Sequence, residues 1–256
     1  MARYFKLFLL SLMVSCTTLG GASKNRIVPD TPDLLEKIIA SNSQVKGFVA
    51  EVRMTYFKDG QRLRGTGTIA CMVPGFLRYE LLGPHGGPIE AFSTNGVEFQ
   101  IAKLAESRFF YGPASPAVLG ELLPIAPLNL SPEDWVNLLL GIVDIPKEAG
   151  IRYDPGIGHF RLEYEKESLS MEVDVVPDTN KIIRIRASSK GVTLYEVGIS
   201  EWDKRSGSPI DFKIEVPSSN MQLRLKFRGF EINYPLPEAN FHLDPPRGVR
   251  PEYISL

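Results

Sequence analysis

Alternating apolar and polar residues occupy most of the chain and predict β-strands. Apolar side chains recur at every second position over residues 48–56 and again over 63–73, and Lys58-Asp59-Gly60 between them is typical of a hairpin turn. The same reasoning predicts strands over residues 76–82, 89–93, 97–104, 108–111, 158–165, 168–176, 181–188, 192–202, 209–216 and 222–232. Closely spaced strands joined by short turns indicate one strongly curved antiparallel sheet, which forms a barrel or part of one.

Three segments with helical spacing depart from this alternation. Each follows a Ser or Thr and a proline, at Thr31-Pro32, Ser115-Pro116 and Ser131-Pro132, which is typical of a helix N-terminus. The predicted helices cover residues 34–39, 117–123 and 135–143. Only Asn137 and Gly141 interrupt the apolar character of the third. A helix that is apolar on every side is buried or lies in a hydrophobic cavity.

The first residues have the pattern of an export signal. Arg3 and Lys6 precede an apolar run over residues 7–14, with no acid among them. A membrane-spanning helix needs roughly 20 apolar residues, so this run is too short to span but suits a secretory signal. The alternatives are a plain signal cut near Ala22 and a cytosolic chain with an apolar start.

The run ends in Leu12-Met13-Val14-Ser15-Cys16, which resembles the lipobox of bacterial lipoproteins. The resemblance implies a signal peptide over residues 1–15 and acylation of Cys16. Residues 16–30 then form a flexible tether, and residues 31–256 a single half-barrel domain. Thr17 after the cysteine implies, by similarity to enterobacterial sorting, the periplasmic side of the outer membrane.

Composition narrows the possible functions. Among 256 residues, 29 Lys and Arg oppose 30 Asp and Glu, giving a net charge of −1, or −3 once residues 1–15 are removed. This balance argues against a nucleic-acid binder and against an acidic disordered chain. Two cysteines exclude a disulfide framework, and three scattered histidines argue against a histidine-built metal site. Cys71 lies in a predicted strand, and we interpret it as a buried small apolar residue.

Motifs of enzymatic chemistry are absent from the sequence. It contains no Gly-x-Ser-x-Gly, no phosphate-binding loop and no His-Glu-x-x-His. Glu163, Glu165 and Glu167 alternate along one predicted strand. They could together bind a cation, but we interpret them as a solvated outer face. We therefore expect a protein that is not an enzyme and has no cofactor or metal.

The concave face of the predicted sheet is apolar. It is lined by Phe48, Val52, Met54, Ile69, Leu77 and Tyr79. The apolar third helix next to this face has two possible meanings. It completes a filled core, or it covers a cavity that accepts an acyl chain, since such a cavity needs only apolar walls and an entrance.

The order of elements resembles the LolA/LolB family of lipoprotein-localisation factors, and the acylated LolB branch fits best. The most specific stretch runs through Leu77-Arg78-Tyr79-Glu80-Leu81-Leu82-Gly83-Pro84, the Asn95-Gly96 turn, residues 123–130 and Trp135-Val136-Asn137-Leu138-Leu139-Leu140-Gly141. The resemblance implies an incomplete β-barrel closed by a helical lid. It also implies that the cavity holds acyl chains, with Trp135, Leu138 and Leu139 on the lid.

By this resemblance the protein is a monomer that receives acylated lipoproteins from a periplasmic LolA-like carrier and passes them to the outer membrane. In the family an exposed apolar residue marks the membrane-facing loop, which here reads Gly83-Pro84-His85-Gly86, so His85 is a departure. The longer tail over residues 241–249 is another. The alternatives are a docking lipoprotein with a filled core and a carrier of some other lipid.

Overall fold

The computed structural model describes residues 30–42, 45–83, 85–122, 128 and 130–255, and in these it contains fourteen strands and three α-helices. The helices are α1 (Thr31–Asn42), α2 (Pro116–Leu122) and α3 (Pro132–Leu140). The strands are β1 (Gly47–Lys58), β2 (Gln61–Met72), β3 (Phe76–Leu82), β4 (Pro88–Asn95), β5 (Glu98–Lys103), β6 (Arg108–Pro113), β7 (Gly150–Asp154), β8 (His159–Lys166), β9 (Leu169–Val175), β10 (Ile182–Ser189), β11 (Val192–Trp202), β12 (Pro209–Val216), β13 (Met221–Ile232) and β14 (Pro251–Tyr253).

All fourteen strands belong to one sheet in the described part of the chain, in the order β14-β6-β5-β4-β3-β2-β1-β13-β12-β11-β10-β9-β8-β7. The meander β1–β6 and the meander β7–β13 join where β1 pairs with β13. Neighbouring strands are antiparallel except β14, which runs parallel to β6. The two outermost strands, β14 and β7, do not pair with each other among these residues. The predicted incomplete barrel is confirmed.

Alternation along the strands sets which side chains face inward. In β3, Leu77, Tyr79 and Leu81 are buried, and the residues between them are partly exposed. Tyr79 lies opposite Ile69 of β2 and Phe92 of β4, and directly opposite residues share a face of the sheet. The inner face of both meanders and the apolar side chains of all three helices form one hydrophobic cluster.

Helix α3 is fixed at both ends by its own sequence. The Ser131 hydroxyl accepts a hydrogen bond from the Asp134 backbone N–H at 3.1 Å, and Pro132 occupies the first turn. Gly141 adopts φ 74°, and the N–H groups of Gly141 and Ile142 donate to the carbonyls of Leu138 and Asn137. This is the Schellman arrangement. The helix therefore ends at Leu140, and the prediction that it continues to residue 143 is wrong.

Two strands were not predicted from the sequence. β7 pairs with β8 at one edge of the sheet, and β14 pairs with β6 at the other. Both are short, and the three residues of β14 begin with a proline and are exposed. Such segments lack the repeated alternation that makes a strand recognisable. Edge strands also bury fewer side chains, so their patterns are weaker.

Candidate functional site

Helix α3 lies in the concave face of the sheet and separates two spaces. Trp135 and Leu139, one turn apart, face a small cavity towards β2, β3 and β4. Asp134 and Leu138, also one turn apart, face a larger pocket towards β8–β12. Residues four apart share a face of a helix, so the two spaces lie on different faces of α3.

The small cavity has a volume of about 40 Å³. It is lined by Ile69, Leu77, Tyr79, Phe92, Thr94, Leu119, Pro132, Trp135, Leu139 and Leu225. Binding pockets for small molecules commonly measure roughly 300–1,000 Å³. In this conformation the small cavity is therefore too small for an acyl chain, because the side chains of α3 and α2 fill most of the space over β2–β4.

The structure brings together some of the residues predicted to line an acyl-chain cavity and separates others. Ile69, Leu77, Tyr79, Trp135 and Leu139 surround the small cavity, whereas Leu138 lines the larger pocket. Phe48 is fully buried elsewhere in the core, with its ring 4.5 Å from that of Phe230 and 5.3 Å from that of Phe227. Val52 is buried and Met54 is partly buried on the same inner face of β1.

The larger pocket, called here the large pocket, has a volume of about 530 Å³ and is open to solvent on one side. It is lined by Leu128, Leu130, Asp134, Asn137, Leu138, Ile142, Val143, Asp144, Tyr164, Lys166, Glu167, Leu169, Met171, Ile185, Leu194, Tyr195, Val216 and Ser218. Its walls are mainly apolar and its volume is that of a ligand site. Of these residues the sequence indicated only Leu138, although the alternation in β8–β11 was a usable signal.

Two tyrosines are among the polar residues that line the large pocket, Tyr164 and Tyr195. The Tyr164 hydroxyl is buried and has no hydrogen-bond partner among the described residues. Burial, with the nearby Tyr195 and Asp144, raises the pKa of Tyr164. Burial and Asp134 raise the pKa of Tyr195 to about 12. Both phenols are therefore protonated at neutral pH and can donate hydrogen bonds.

The tyrosine of the small cavity differs in this respect. The Tyr79 hydroxyl donates to Glu90 Oε1 at 2.7 Å, and burial together with the Glu90 charge raises the pKa of Tyr79 well above its usual value. Its ring lines the small cavity while its hydroxyl is already bonded. The indole N–H of Trp135 is buried without a partner among the described residues.

The rim of the large pocket carries more negative than positive charge. Lys166 Nζ lies 3.4 Å from Asp134 Oδ1 and 3.7 Å from Asp144 Oδ2. Glu167, in the turn after β8, is the other charged residue that lines the pocket within the described chain. Within the described chain the rim therefore carries one positive and three negative side chains, and Lys166 already interacts with two of the three carboxylates.

The predicted membrane-facing loop is described except for Pro84. His85 and Gly86 are exposed, and Gly86 adopts φ 79° and donates its N–H to the Gly83 carbonyl. An exposed apolar side chain does lie beside this loop. Ile89, at the start of β4, is 43% exposed, and a Cβ on Gly83 would lie 2.9 Å from its Cγ2 atom. The sequence analysis did not identify Ile89 as a candidate membrane-facing residue.

The remaining candidate residues are dispersed. Glu163 and Glu165 are exposed on β8, Glu163 pairs with Arg152 at 3.0 Å, and Glu167 lies beyond the strand in the turn. Cys71 is fully buried, and burial raises the pKa of its thiol far above the ordinary value. Among the described residues, no group of three or more His, Cys, Asp or Glu could hold a metal ion.

The N-terminal predictions concern residues outside the described part. The signal peptide over residues 1–15, acylation of Cys16 and nearly all of the tether fall within residues 1–29. These predictions remain untested. Of the helices that the structure describes, none has the length and apolar character needed to cross a membrane.

No protein-family model matches the sequence, and no curated protein matches it. Solved structures nevertheless share its fold. A DUF1329 family protein from Desulfovibrio piger has a TM-score of 0.61 at 16% identity, over 84% of this chain and 98% of the other. A domain from Vibrio parahaemolyticus named as an outer membrane lipoprotein-sorting protein has a TM-score of 0.60 at 11% identity, over 82% and 94%.

A LolA superfamily protein from Nitrosomonas europaea has a TM-score of 0.55 at 12% identity, over 84% of this chain and 99% of the other. At these identities the similarity concerns the fold. The shared fold covers at least 94% of each of these three other chains. The LolA-like architecture predicted from the order of elements is therefore confirmed.

Proposed function

We propose that the protein binds acyl chains of lipoproteins between its curved sheet and α3, and acts in lipoprotein localisation at the outer membrane. The large pocket is the observation that carries this proposal, because it is open on one side, mainly apolar and large enough for a ligand. Two proteins with the same fold are named for lipoprotein sorting or for the LolA superfamily. Their names support the proposal by analogy of fold.

Binding of this kind requires no covalent chemistry. In the proposed function the protein is therefore a carrier and not an enzyme, and it uses no cofactor. Each buried CH₂ group of a chain contributes about 0.8 kcal/mol. Cargo moves from a LolA-like carrier to this protein if the site here binds the chains more tightly than the carrier does. An outward shift of α3 away from β3 would enlarge the small cavity and extend the space available to a chain.

Anchoring belongs to the proposal as well. We place the protein on the periplasmic side of the outer membrane as a LolB-like monomer held by acylated Cys16, on the basis of the lipobox pattern and Thr17. Its partners are then acylated lipoproteins and a LolA-like carrier, without nucleic acid. Depletion of the protein should cause lipoproteins to accumulate in the periplasm.

A pair of variants on β11 tests acyl-chain binding. Leu194 lines the large pocket, and Val192, two residues earlier on the same face of the strand, lies outside it. In the chain carrying Cys16→Ser, we expect N-phenylnaphthylamine to bind saturably and acyl amphiphiles to displace it. Leu194→Trp should weaken binding about tenfold by filling the pocket, and Val192→Trp should not.

Absence of saturable binding would contradict the proposal.

The small cavity supports a second candidate function, that of a docking lipoprotein with a filled core, because only about 40 Å³ is free over β2–β4. A docking lipoprotein would bind no amphiphile, and crosslinking in the native membrane would recover a protein partner. In a chain carrying Trp202→Phe, which leaves Trp135 as the one tryptophan, an emission shift on addition of an acyl amphiphile would favour the carrier.

A further inference from the structure

The β1–β2 hairpin projects past the strand beside it. β3 ends at Leu82, which pairs with Thr66 of β2, so the preceding residues of β2 have no partner strand on that side in the described part of the chain. Asp59 and Gly60, with φ of 50° and 75°, form the two-residue turn of the hairpin. All seven residues over 58–64, called here the hairpin tip, are exposed. A binding partner therefore reaches the tip without any rearrangement of the fold.

The cations of the hairpin tip are not paired with carboxylates. Among the described residues, no ion pair includes Lys58, Arg62 or Arg64. Arg64 lies opposite Thr55 and Arg62 opposite Phe57, so no acid faces either arginine across β1. Arg62 Cζ lies 5.0 Å from the centre of the Phe57 ring instead. The tip as a whole holds three cations and one acid, which is in the turn, so it is positively charged.

The second meander carries its cations in a different arrangement. Arg152, Arg161 and Arg184 on its outer face each lie within 3.0 Å of a carboxylate oxygen. These ion pairs neutralise that surface within the protein itself. The unpaired cations of the hairpin tip repel one another, and an external anionic surface that lies against them removes this repulsion.

An exposed apolar side chain lies between the two arginines. Leu63 is 62% exposed and points to the opposite face of β2 from Arg62 and Arg64. At a membrane surface, cations can contact lipid phosphates while an apolar side chain enters the boundary between headgroups and acyl chains. A stable protein interface takes about 20–30 residues from each partner, many more than this tip offers. The tip therefore suits a bilayer better than a protein partner.

The hairpin tip lies at the end of the sheet that the large pocket also reaches. Because neighbouring strands are antiparallel, the turns after β1, β8 and β12 lie at one end of the sheet. Glu167 and Ser218, in the turns after β8 and β12, line the large pocket. The acidic rim surrounds Lys166 of β8, which is six strands from β1 in the sheet, so the positive tip and the negative rim are separate surfaces.

We propose that the hairpin tip docks the protein onto a bilayer surface that contains anionic phospholipids, and so holds the large pocket close to that surface. The docking depends on the cations of the tip and on Leu63, and it does not require acyl-chain binding. Its use, the delivery of an acyl chain from the pocket to the bilayer, rests on the proposed function. A tether from Cys16 limits the distance of the domain from a membrane, whereas the tip also fixes its orientation.

Flotation with lipid vesicles tests the docking. A chain of residues 17–256 keeps every described residue and lacks both the apolar start and Cys16. It is mixed at low salt with vesicles of phosphatidylcholine, either alone or with about one third phosphatidylglycerol. We expect binding to the anionic vesicles to be at least about tenfold tighter than binding to the neutral ones. Added salt should weaken it, because salt screens exposed charges.

Two double variants test the contribution of charge. Arg62→Gln with Arg64→Gln should weaken binding to the anionic vesicles about twentyfold. Lys204→Gln with Arg205→Gln removes the same charge from exposed residues in the turn after β11, at the other end of the sheet. This second variant should bind the vesicles as the unsubstituted chain does.

Two single variants test the contribution of the apolar side chain. Leu63→Ser should weaken binding to the anionic vesicles about tenfold, because less apolar surface enters the bilayer. Val97 is 74% exposed in the turn after β4, also at the other end of the sheet. Val97→Ser should therefore leave binding unchanged.

The outcomes separate the docking from the proposed function. Equal binding to the two kinds of vesicle, or binding to neither, would overturn the docking, as would an unchanged affinity in Arg62→Gln with Arg64→Gln. Binding of N-phenylnaphthylamine without vesicles measures the large pocket alone and should be the same in that variant as in the unsubstituted chain. If the anionic vesicles are bound but the probe is not bound saturably, the docking stands and the proposed function fails.

Discussion

At the scale of single residues, the outer face of the second meander is held by a buried carboxylate. Asp174 on β9 has a side chain 4% exposed, and Arg161 and Arg184 donate to its two oxygens, each at 2.7 Å. Burial alone would raise the pKa of Asp174, but the hydrogen bonds and charges of the two arginines outweigh it and lower the pKa. The ionised carboxylate is therefore part of the fold.

This arrangement predicts a pH-dependent loss of stability. Because the folded-state pKa of Asp174 is lowered, its contribution is present above the unfolded-state value of roughly 3.9 and is lost as the pH falls through the folded-state value. Asp174→Asn should lower the free energy of unfolding in urea by about 3 kcal/mol at neutral pH. The difference from the wild type should shrink in acid.

The control for this prediction lies on the same face. Glu163 pairs with Arg152 at 3.0 Å, but both side chains are about half exposed. Glu163→Gln should therefore cost less than about 1 kcal/mol at any of these pH values. Equal losses from the two substitutions at neutral pH would show that burial of Asp174 contributes nothing beyond a surface pair.

At the scale of elements, the C-terminus of α3 determines how firmly the helix is held over both spaces. A Cβ on Gly141 would lie 3.0 Å from Cγ of Pro209, the first residue of β12, and its φ of 74° disfavours any L side chain. Ser131 fixes the other end of the helix. The residues between these ends face the small cavity on one side and the large pocket on the other.

Substitution of this glycine should loosen the helix. Gly141→Ala combines the positive φ with the contact to Pro209, and we expect it to lower the free energy of unfolding by about 2 kcal/mol. In a chain that also carries Trp202→Phe, so that Trp135 is the one remaining tryptophan, it should shift the Trp135 emission. Gly191→Ala has a similar φ of 77° but no atom within 4 Å, so it should cost about 1 kcal/mol and leave the emission unchanged. Indistinguishable variants would mean that Pro209 does not hold the helix end.

At the scale of the whole molecule, the sequence predicts the parts of the fold that repeat a local pattern. Strands β3, β11 and β12 were predicted at their observed bounds, because seven or more alternating residues define a period of two. The pairing of β1 with β13 brings together residues far apart in sequence, so no local period indicates it.

The division of the candidate site by α3 was missed for a different reason. Leu138 lies three residues after Trp135, so helical periodicity alone places both near one face of α3, and only the packing shows that they line different spaces.

The last prediction concerns the edge of the sheet beside β6. This strand carries Phe109 and Phe110. One edge of β6 pairs with β5, and the parallel strand β14 pairs with the other edge. Arg108 donates to Glu252 at 3.1 and 2.9 Å, and the rings of Tyr111 and Tyr253 are 5.3 Å apart. An uncovered, apolar edge strand is a template for pairing with another chain.

A variant ending at residue 250 lacks β14 and should associate at concentrations where the longer chain is monomeric. The truncation removes residues 251–256, which include the three exposed residues of β14 and the partly buried Ile254, so the melting temperature should fall modestly. Glu252→Gln, which keeps the backbone pairing and removes the ion pair, should remain monomeric. Light scattering over a concentration series distinguishes the three proteins. If the shortened chain stays monomeric, β14 does not protect the edge; if Glu252→Gln also associates, the ion pair rather than the backbone pairing holds β14 in place.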